Sequence, residues 1–252
     1  NWREAVGGYQ QVIELAPDNV AARVHLAQIY LRAGLLDQVA KLVDEAGKLD
    51  QKNPDIDTLR GALHAKQGDM AVAMKDVQAA LALDPKHVDA VMLLSSLYVN
   101  GNQAEQAAVV LKDGIAAHPK NLALHLALAD VYNRQHKSAE ASEQLKEIVH
   151  LDPENLAHRV RLANYYAGLG KTAEAEQVLR EAEADHADSA PAKLALVKFI
   201  DEKRGQKDAE RELLAFIERS PKDETLRFGL AGLYQEAGDL DKAEAVYREI
   251  IK

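Results

Sequence analysis

The sequence contains no cysteine and few aromatic residues, and these absences narrow the functions it can perform. Cysteine is missing from all 252 residues, which excludes disulfide scaffolds, cysteine-ligated zinc, iron–sulfur clusters and thiol catalysis. Aromatic residues make up 5% of the chain. No apolar run approaches the ~18 residues that are needed to cross a bilayer, so we expect no transmembrane segment. No secretory signal is visible in the sequence.

The sequence also lacks an excess of positive charge. Lys and Arg number 31 against 40 Asp and Glu, which gives a net charge of −9. A nucleic-acid partner requires a basic surface that neutralises phosphates, so we expect no nucleic-acid binding. Hydrophobic residues reach 47% and the chain has 43 alanines. Because alanine is the strongest helix former, this composition predicts an ordered, all-α protein.

The prolines show that the chain is built from repeats. Pro85, Pro119 and Pro153 are spaced by 34 residues, and Pro17 and Pro221 fall on the same grid. One column of this grid is almost entirely alanine: Ala5, Val39, Ala73, Ala107, Ala141, Ala175, Ala209, Ala243. Another is mostly tyrosine: Tyr30, His64, Tyr98, Tyr132, Tyr166, Ile200, Tyr234. Recurrence of this kind at a fixed period indicates an internal repeat.

Each repeat carries signals for the ends of two helices. The residue before the first helix is Asn19, Asn53, His87, Asn121, Asn155, Ser189 or Asp223, and six of these seven are types whose side chains cap helix N-termini. About 15 residues later comes Gly34, Gly68, Asn102, His136, Gly170, Arg204 or Gly238, where glycine favours the end of a helix. The pattern predicts helix A, a tight turn, helix B and a proline turn, and thus fifteen helices.

Leu-small-x-x-Tyr, then Ala-x-x-x-large, then Pro at this period resembles the tetratricopeptide repeat family. Residues 162–166 with Ala175 and Leu179 form the best copy. The resemblance implies a single array over 1–252, folded as a right-handed superhelical solenoid of antiparallel helix pairs with helix A on the concave side. Its parts are a half repeat at 1–19, repeats at 20–53, 54–87, 88–121, 122–155, 156–189 and 190–223, and a near-complete repeat at 224–252.

Two repeats depart from the pattern. Residues 54–87 carry Arg60 and His64 where Leu and Tyr are usual, and residues 190–223 carry Ile200 and Arg204 in place of Tyr and Gly. Both repeats keep their column alanine, so we expect normal helix pairs with altered packing or an altered turn. Most of the nine histidines are expected to be solvated, with His64 as a core substitute.

Neither end of the chain shows the polar capping that a solenoid needs. The first helix has no helix A before it, and the last, from Asp241 to Lys252, has no polar helix after it. We expect the chain to be a fragment of a longer array. The alternative is an array whose caps are disordered or missing.

No pattern in the sequence predicts catalysis, a cofactor site or a metal site. Residues 168–172 resemble the end of a phosphate-binding loop, but Tyr165 stands where that loop needs its first glycine. The histidine pairs lack the spacing of a helical metal site. We therefore predict a protein that is not an enzyme.

The family resemblance assigns binding to helix A positions outside the core columns. One such row is apolar and runs Val24, Thr58, Met92, Leu126, Val160, Leu194, Phe228. Side-chain amides and arginines flank it and can bond a peptide backbone. The predicted partner-binding residues are Met92, Ser96, Leu126, Asp130, Asn133, Arg134, Val160, Arg161 and Asn164. The competing interpretation is that the apolar row packs between adjacent repeats.

The leading hypothesis is a non-enzymatic scaffold or adaptor that binds a protein or peptide partner in this groove. The repeat style is similar to that of bacterial cell-envelope members of the family, which favours the periplasm or an outer-membrane lipoprotein over the cytoplasm, in a secretion, exopolysaccharide or protease complex. One alternative is a regulatory or targeting region of a larger enzyme such as a glycosyltransferase. Another is a scaffold that self-assembles into a homo-oligomer through its uncapped ends.

Overall fold

The computed structural model describes residues 2–251. Asn1 and Lys252, with which the predicted half repeat begins and the predicted last repeat ends, lie outside the described residues. Fifteen α-helices and no strand occur in that range, as predicted. They are α1 (Trp2–Leu15), α2 (Val20–Arg32), α3 (Leu36–Leu49), α4 (Pro54–Gln67), α5 (Met70–Leu83), α6 (Val88–Asn100), α7 (Ala104–Ala117), α8 (Leu122–Arg134), α9 (Ser138–Leu151), α10 (Leu156–Gly168), α11 (Thr172–Asp185), α12 (Ala190–Arg204), α13 (Gln206–Arg219), α14 (Glu224–Glu236) and α15 (Leu240–Ile250).

The even-numbered helices are the predicted A helices and the odd-numbered ones the B helices. The chain forms two compact units, an N-terminal unit up to Gln144 and a C-terminal unit from Leu145 onward. Within the N-terminal unit, α2 packs on α3, α4 on α5 and α6 on α7, and each A helix also contacts the next A helix. Within the C-terminal unit, α10 packs on α11, α12 on α13 and α14 on α15. Both units are therefore built from helix pairs.

All seven A helices begin at the predicted caps. Each cap side chain accepts a hydrogen bond from a backbone N–H in the first turn, which satisfies one of the orphan donors there. The cap in the third full repeat is His87, whose Nδ1 accepts from the Ala90 N–H at 3.2 Å. The histidine that broke the residue pattern thus performs the same function as the asparagines.

The tight turn between helix A and helix B also follows the prediction. Gly34, Gly68, Gly170 and Gly238 adopt positive φ, and so do Asn102 and His136 with φ of 57° and 58°. A different turn occurs in repeat 190–223, where α12 continues through Arg204 and Gly205 takes φ 92° and ψ 167°. The altered turn predicted for this repeat is confirmed.

The alanine column lies at the closest approach of paired helices. From Ala73 to Ala209 its members are 0% exposed. In repeat 54–87 a Cβ added to Gly61 of α4 would lie 2.7 Å from Val77 Cγ2 and 3.1 Å from the Ala73 carbonyl oxygen. The backbones of α4 and α5 are therefore too close for a larger side chain. Ala5, which occupies the same column on α1, is exposed.

Each of the two unusual residues of repeat 54–87 has an aspartate as its partner. Arg60 Nη1 lies 2.6 Å from Asp57 Oδ1, and His64 Nδ1 lies 2.6 Å from Asp76 Oδ2. His64 is half-buried between α4 and α5. The predicted role of His64 as a core substitute is refined by this hydrogen bond, because the ring packs while its nitrogen stays bonded.

The tyrosine column contributes one strongly perturbed hydroxyl. Tyr234 of α14 is buried, and its hydroxyl donates to Glu210 Oε1 at 2.6 Å. Burial, followed by that hydrogen bond and by the charges of Glu210 and Asp239, raises the pKa of Tyr234 to about 12. Because the phenol ionises near pH 10 in an unfolded chain, the neutral hydroxyl is favoured by the native state.

This shift predicts a loss of stability at high pH. The stabilisation is fully present below pH ~10 and disappears as the pH rises through ~12, because the unfolded phenol ionises first. In a pH titration of phenolate absorbance, the native protein should therefore show a late ionisation step at about pH 12, and Tyr234→Phe should remove that step. Tyr9→Phe, at a half-buried tyrosine, is the control and should keep it. A late step that persists in Tyr234→Phe would contradict the prediction.

Candidate interaction surface

The predicted groove residues of the N-terminal unit lie on α6 and α8. Four of them lie on α8 at spacings typical of one helix face: Leu126, Asp130, Asn133 and Arg134. Leu126 is half-buried and the other three are exposed. On α6, Met92 is half-buried and Ser96, four residues later, is exposed. Each helix thus presents an apolar base with polar groups beside it.

The same pattern recurs in the C-terminal unit on α10. Val160 is half-buried, whereas Arg161 and Asn164 are exposed. The three residues occupy the second and third turns of the helix, which begins at Leu156. The order of apolar and polar positions is therefore preserved from α8 to α10.

The polar side chains at the predicted positions have no bonding partners in the part of the chain that the structure describes. Within residues 2–251, none of them makes a hydrogen bond or ion pair through its side chain, in contrast to most charged residues nearby. The set is Ser96, Asp130, Asn133, Arg134, Arg161 and Asn164. Such groups can turn toward a ligand without breaking an internal bond, so they lose only solvent contacts on binding.

The apolar row is only partly available for binding. Val24 and Thr58 are buried, and the Thr58 hydroxyl donates to the Pro54 carbonyl at 2.7 Å. In the C-terminal unit, Leu194 of α12 packs closely on Gly229 of α14, so a Cβ there would require the Leu194 side chain to move. The competing interpretation, packing between adjacent A helices, therefore holds for these members of the row.

A half-open cavity of about 270 Å³ lies in the N-terminal unit, one repeat before the predicted residues, and was not expected from the sequence. It is lined by the A helices α2, α4 and α6. Its lining is Gln28, Leu31, Arg32, Asp55, Thr58, Leu59, Ala62, Asp89 and Leu93. Thr58 belongs to the apolar row of groove positions, but the three charged residues were not singled out. Asp55 and Asp89 lie in the first turns of α4 and α6, where an acidic residue is usual for helix electrostatics.

The charged groups around this cavity are incompletely paired. Asp55 Oδ1 accepts from His87 Nε2 at 3.0 Å and makes no other side-chain bond. The side chains of Asp89 and Arg32 have no hydrogen-bond or ion-pair partner in the described part of the chain, and both residues are exposed. Leu59 is buried beneath them. The cavity therefore has an apolar floor and, around it, incompletely paired side chains of both charges.

Two further cavities occupy equivalent places in the repeat and so reflect the architecture. One, of about 420 Å³, lies over Leu26 and Tyr30 and is flanked by α1 and α3. The other, of about 370 Å³, lies over Leu162 and Tyr166 and is flanked by α9 and α11. The two positions differ by 136 residues, which is four repeats. Both open beside B helices.

A column of buried basic residues in helix A was also missed. Its buried members are Arg23, His125, Arg159 and Lys193. Each reaches toward the following helix B or the turn beside it: Arg159 pairs with Asp185 at 2.6 Å, and Lys193 Nζ donates to Ser220 at 3.1 Å. The expectation of solvated histidines is wrong for His125, which bonds Gln144 and the Pro119 carbonyl at 2.9 Å each. These residues stabilise helix pairs.

The described residues contain no group of three or more His, Asp or Glu placed to hold a metal ion. Among the same residues, no helix is both long and apolar enough to cross a membrane.

Comparison with known proteins gives a consistent result over nearly the whole chain. Models described as tetratricopeptide repeats match residues 1–63, 64–131 and 132–198, and another matches residues 207–252. No curated protein matches. One similar solved structure is PilF from Pseudomonas aeruginosa, at 16% identity and a TM-score of 0.58, covering 82% of this chain and 95% of that chain. Another is a human IFIT1 dimer with m7Gppp-AAAA, at 16% identity and a TM-score of 0.57, covering 100% of this chain and 68% of that chain. MamA from Desulfovibrio magneticus matches at 19% identity (68% and 97%, TM-score 0.51). These likenesses concern the fold.

Proposed function

The chain belongs to the tetratricopeptide repeat family, and from this premise we propose that it is a non-enzymatic scaffold that binds a segment of a partner protein along its A helices. The contact residues proposed are the nine on α6, α8 and α10: Met92, Ser96, Leu126, Asp130, Asn133, Arg134, Val160, Arg161 and Asn164. The family is built on repeats whose surfaces serve recognition.

One observation carries the proposal. On three consecutive A helices, exposed polar side chains without internal partners stand beside half-buried apolar ones. Asn133 and Asn164 can each donate to a peptide carbonyl and accept from a peptide N–H. Met92, Leu126 and Val160 supply apolar contacts for alternate side chains. This combination suits an extended or helical protein segment.

One narrower role and two alternatives accompany the proposal. The repeat style suggests a bacterial envelope complex for secretion, exopolysaccharide export or proteolysis, with the chain in the periplasm or on an outer-membrane lipoprotein. The first alternative is a regulatory or targeting region of a larger enzyme such as a glycosyltransferase. The second is self-assembly, and it is favoured by exposed apolar residues on the terminal helices: Trp2 and Leu15 on α1, Leu240 on α15 and Ile251 just after it.

The decisive experiment removes one groove amide from each unit. Asn133→Ala with Asn164→Ala should weaken binding of the partner about tenfold or more, because buried partner groups would be left unpaired. The melting midpoint should stay nearly unchanged, since both side chains are exposed and unbonded. The partner is first identified by crosslinking in the native cell, and its affinity is then measured by calorimetry.

The control variant must lie on an exposed B-helix face. Glu176 and Arg180 are unsuitable for it, because Glu176 is buried and bonded to Arg180 and Arg204. Gln106→Ala with Asp113→Ala on α7 is suitable, since both residues are exposed and make no side-chain bond within residues 2–251. If the α7 pair abolishes binding and the groove pair does not, the proposal is wrong. If the partner is a second copy of this chain, self-assembly replaces it.

A further inference from the structure

We propose that the cavity between α2, α4 and α6 selects a mixed-charge segment of the partner, in which a basic and an acidic residue flank an apolar one. This inference rests on the proposed function, since it names the chemistry of the segment that the A helices would bind. It concerns residues one repeat before the proposed contact set. The cavity, its floor and its charges all lie within the N-terminal unit.

The floor of the cavity suits one aliphatic side chain. Leu59 is buried, and Leu31 and Leu93 are half-buried beside it. A volume of about 270 Å³ exceeds that of a single aliphatic side chain and is far smaller than a folded partner. An inserted leucine, isoleucine or methionine would remove this apolar surface from water.

The rim of the cavity provides charges for the flanking residues. Asp89 is unpaired, and Asp55 has one carboxylate oxygen bonded to His87 and the other unbonded. The two aspartates occupy the same position in consecutive repeats, so they stand at equivalent ends of adjacent A helices. A lysine or arginine of the partner complements this pair.

The positive charge of the rim comes from Arg32, at the C-terminal end of α2. Arg32 lies in the last turn of α2, whereas the aspartates lie in the first turns of α4 and α6. Its guanidinium has no partner in the described part of the chain and presents five donors in a fixed fork that matches a carboxylate. A segment with its acid toward Arg32 and its base toward Asp55 and Asp89 pairs all three charges. The reverse orientation places like charges together, so the rim also sets the direction of binding.

The test uses peptides of known sequence and the full chain. A random peptide library displayed on phage is selected against the immobilised protein, and against a charge-reversed variant, Asp55→Lys with Asp89→Lys. Peptides enriched on the protein should carry Lys or Arg near Leu, Ile or Met, with Asp or Glu on the other side. The charge-reversed variant should lose the preference for the basic residue. The matched control, Asp37→Lys, changes an exposed first-turn aspartate of α3 and should leave the preference intact.

A near-isosteric variant keeps the test independent of folding. Asp55→Asn with Asp89→Asn should weaken the best enriched peptide about threefold to tenfold, because two exposed ion pairs are lost. Asp37→Asn should leave that affinity unchanged. Circular dichroism of each variant checks that the helices persist.

The outcomes separate this inference from the function on which it rests. If enriched peptides lack a basic residue, ignore the Asp55 and Asp89 variants and lose binding with Asn133→Ala and Asn164→Ala, the cavity inference is overturned and the proposed function survives. If no peptide is enriched over an unrelated protein surface, both are overturned. Enrichment of the mixed-charge pattern with loss on charge reversal supports both.

Discussion

Replacing Phe216 with alanine is expected to lower the free energy of unfolding of the C-terminal unit by about 3–5 kcal/mol. Phe216 of α13 is 0% exposed and is the largest fully buried side chain of the described residues. Leu213, one turn earlier, is equally buried, and the Arg219 guanidinium carbon lies 4.8 Å from the ring centroid. Truncation would therefore lose the buried apolar area, leave a cavity and remove a cation–π contact.

Phe228 provides the matched control for this prediction. It is the same residue type in the same unit, but it is 50% exposed on α14. Phe228→Ala should cost well below half as much, about 1 kcal/mol, because less area is withdrawn from water in the native state. Repeat arrays unfold in segments, so hydrogen exchange of the amides in each unit should accompany urea titration. Equal costs for the two variants would show that Phe216 does not lie in the core.

Enlarging Ala175 is expected to destabilise the same unit by about 1–3 kcal/mol. Ala175 of α11 is fully buried in the alanine column, and Ala163 of α10, which holds the position equivalent to Gly61, is buried as well. In repeat 54–87 the equivalent helices also approach closely, at Gly61 and Ala73. A leucine at Ala175 would force the two helices apart or take a strained rotamer.

The control for Ala175→Leu is Ala5→Leu. Ala5 occupies the same column but is exposed on α1, so a leucine there meets no neighbouring backbone and should change stability by less than about 0.5 kcal/mol. Chemical denaturation of both variants gives the comparison. An unchanged midpoint for Ala175→Leu would mean that α10 and α11 can separate without cost, which would contradict the role of the column.

Repetition explains why the helices and caps could be predicted from the sequence. A single histidine at position 87 or 136 is uninformative alone, but each stands on a grid of asparagines and glycines, and in the structure one forms a cap and the other a left-handed turn. The information came from the other copies. Each copy must satisfy the same orphan N–H and carbonyl groups, so the backbone constrains even those positions that carry an unusual residue.

The candidate binding surface could be predicted only in part from the sequence. The pairing of its charged side chains could not, because it depends on residues that are neighbours in space and not in sequence. Arg159 and Asp185 are separated by 26 residues, and nothing in either local pattern marks them as partners. The charged rim of the α2–α4–α6 cavity was missed for the same reason, since Asp89 resembles any acidic residue of a first helical turn. The choice of Asn133 and Asn164, by contrast, came from the family resemblance, and the structure shows both side chains exposed.

The caps described for each repeat also bear on how such a gene can change in length. Because every A helix carries its own cap, excision or duplication of 34 residues would rejoin equivalent positions without leaving an uncapped helix. The bond from His118 to the Lys86 carbonyl survives such an event, since any preceding copy supplies a carbonyl. The pairs Asp55–His87 and Arg180–Glu212 do not, because each joins particular side chains 32 residues apart. An excision or duplication that separates either pair would therefore lose a side-chain contact that the other junctions do not have.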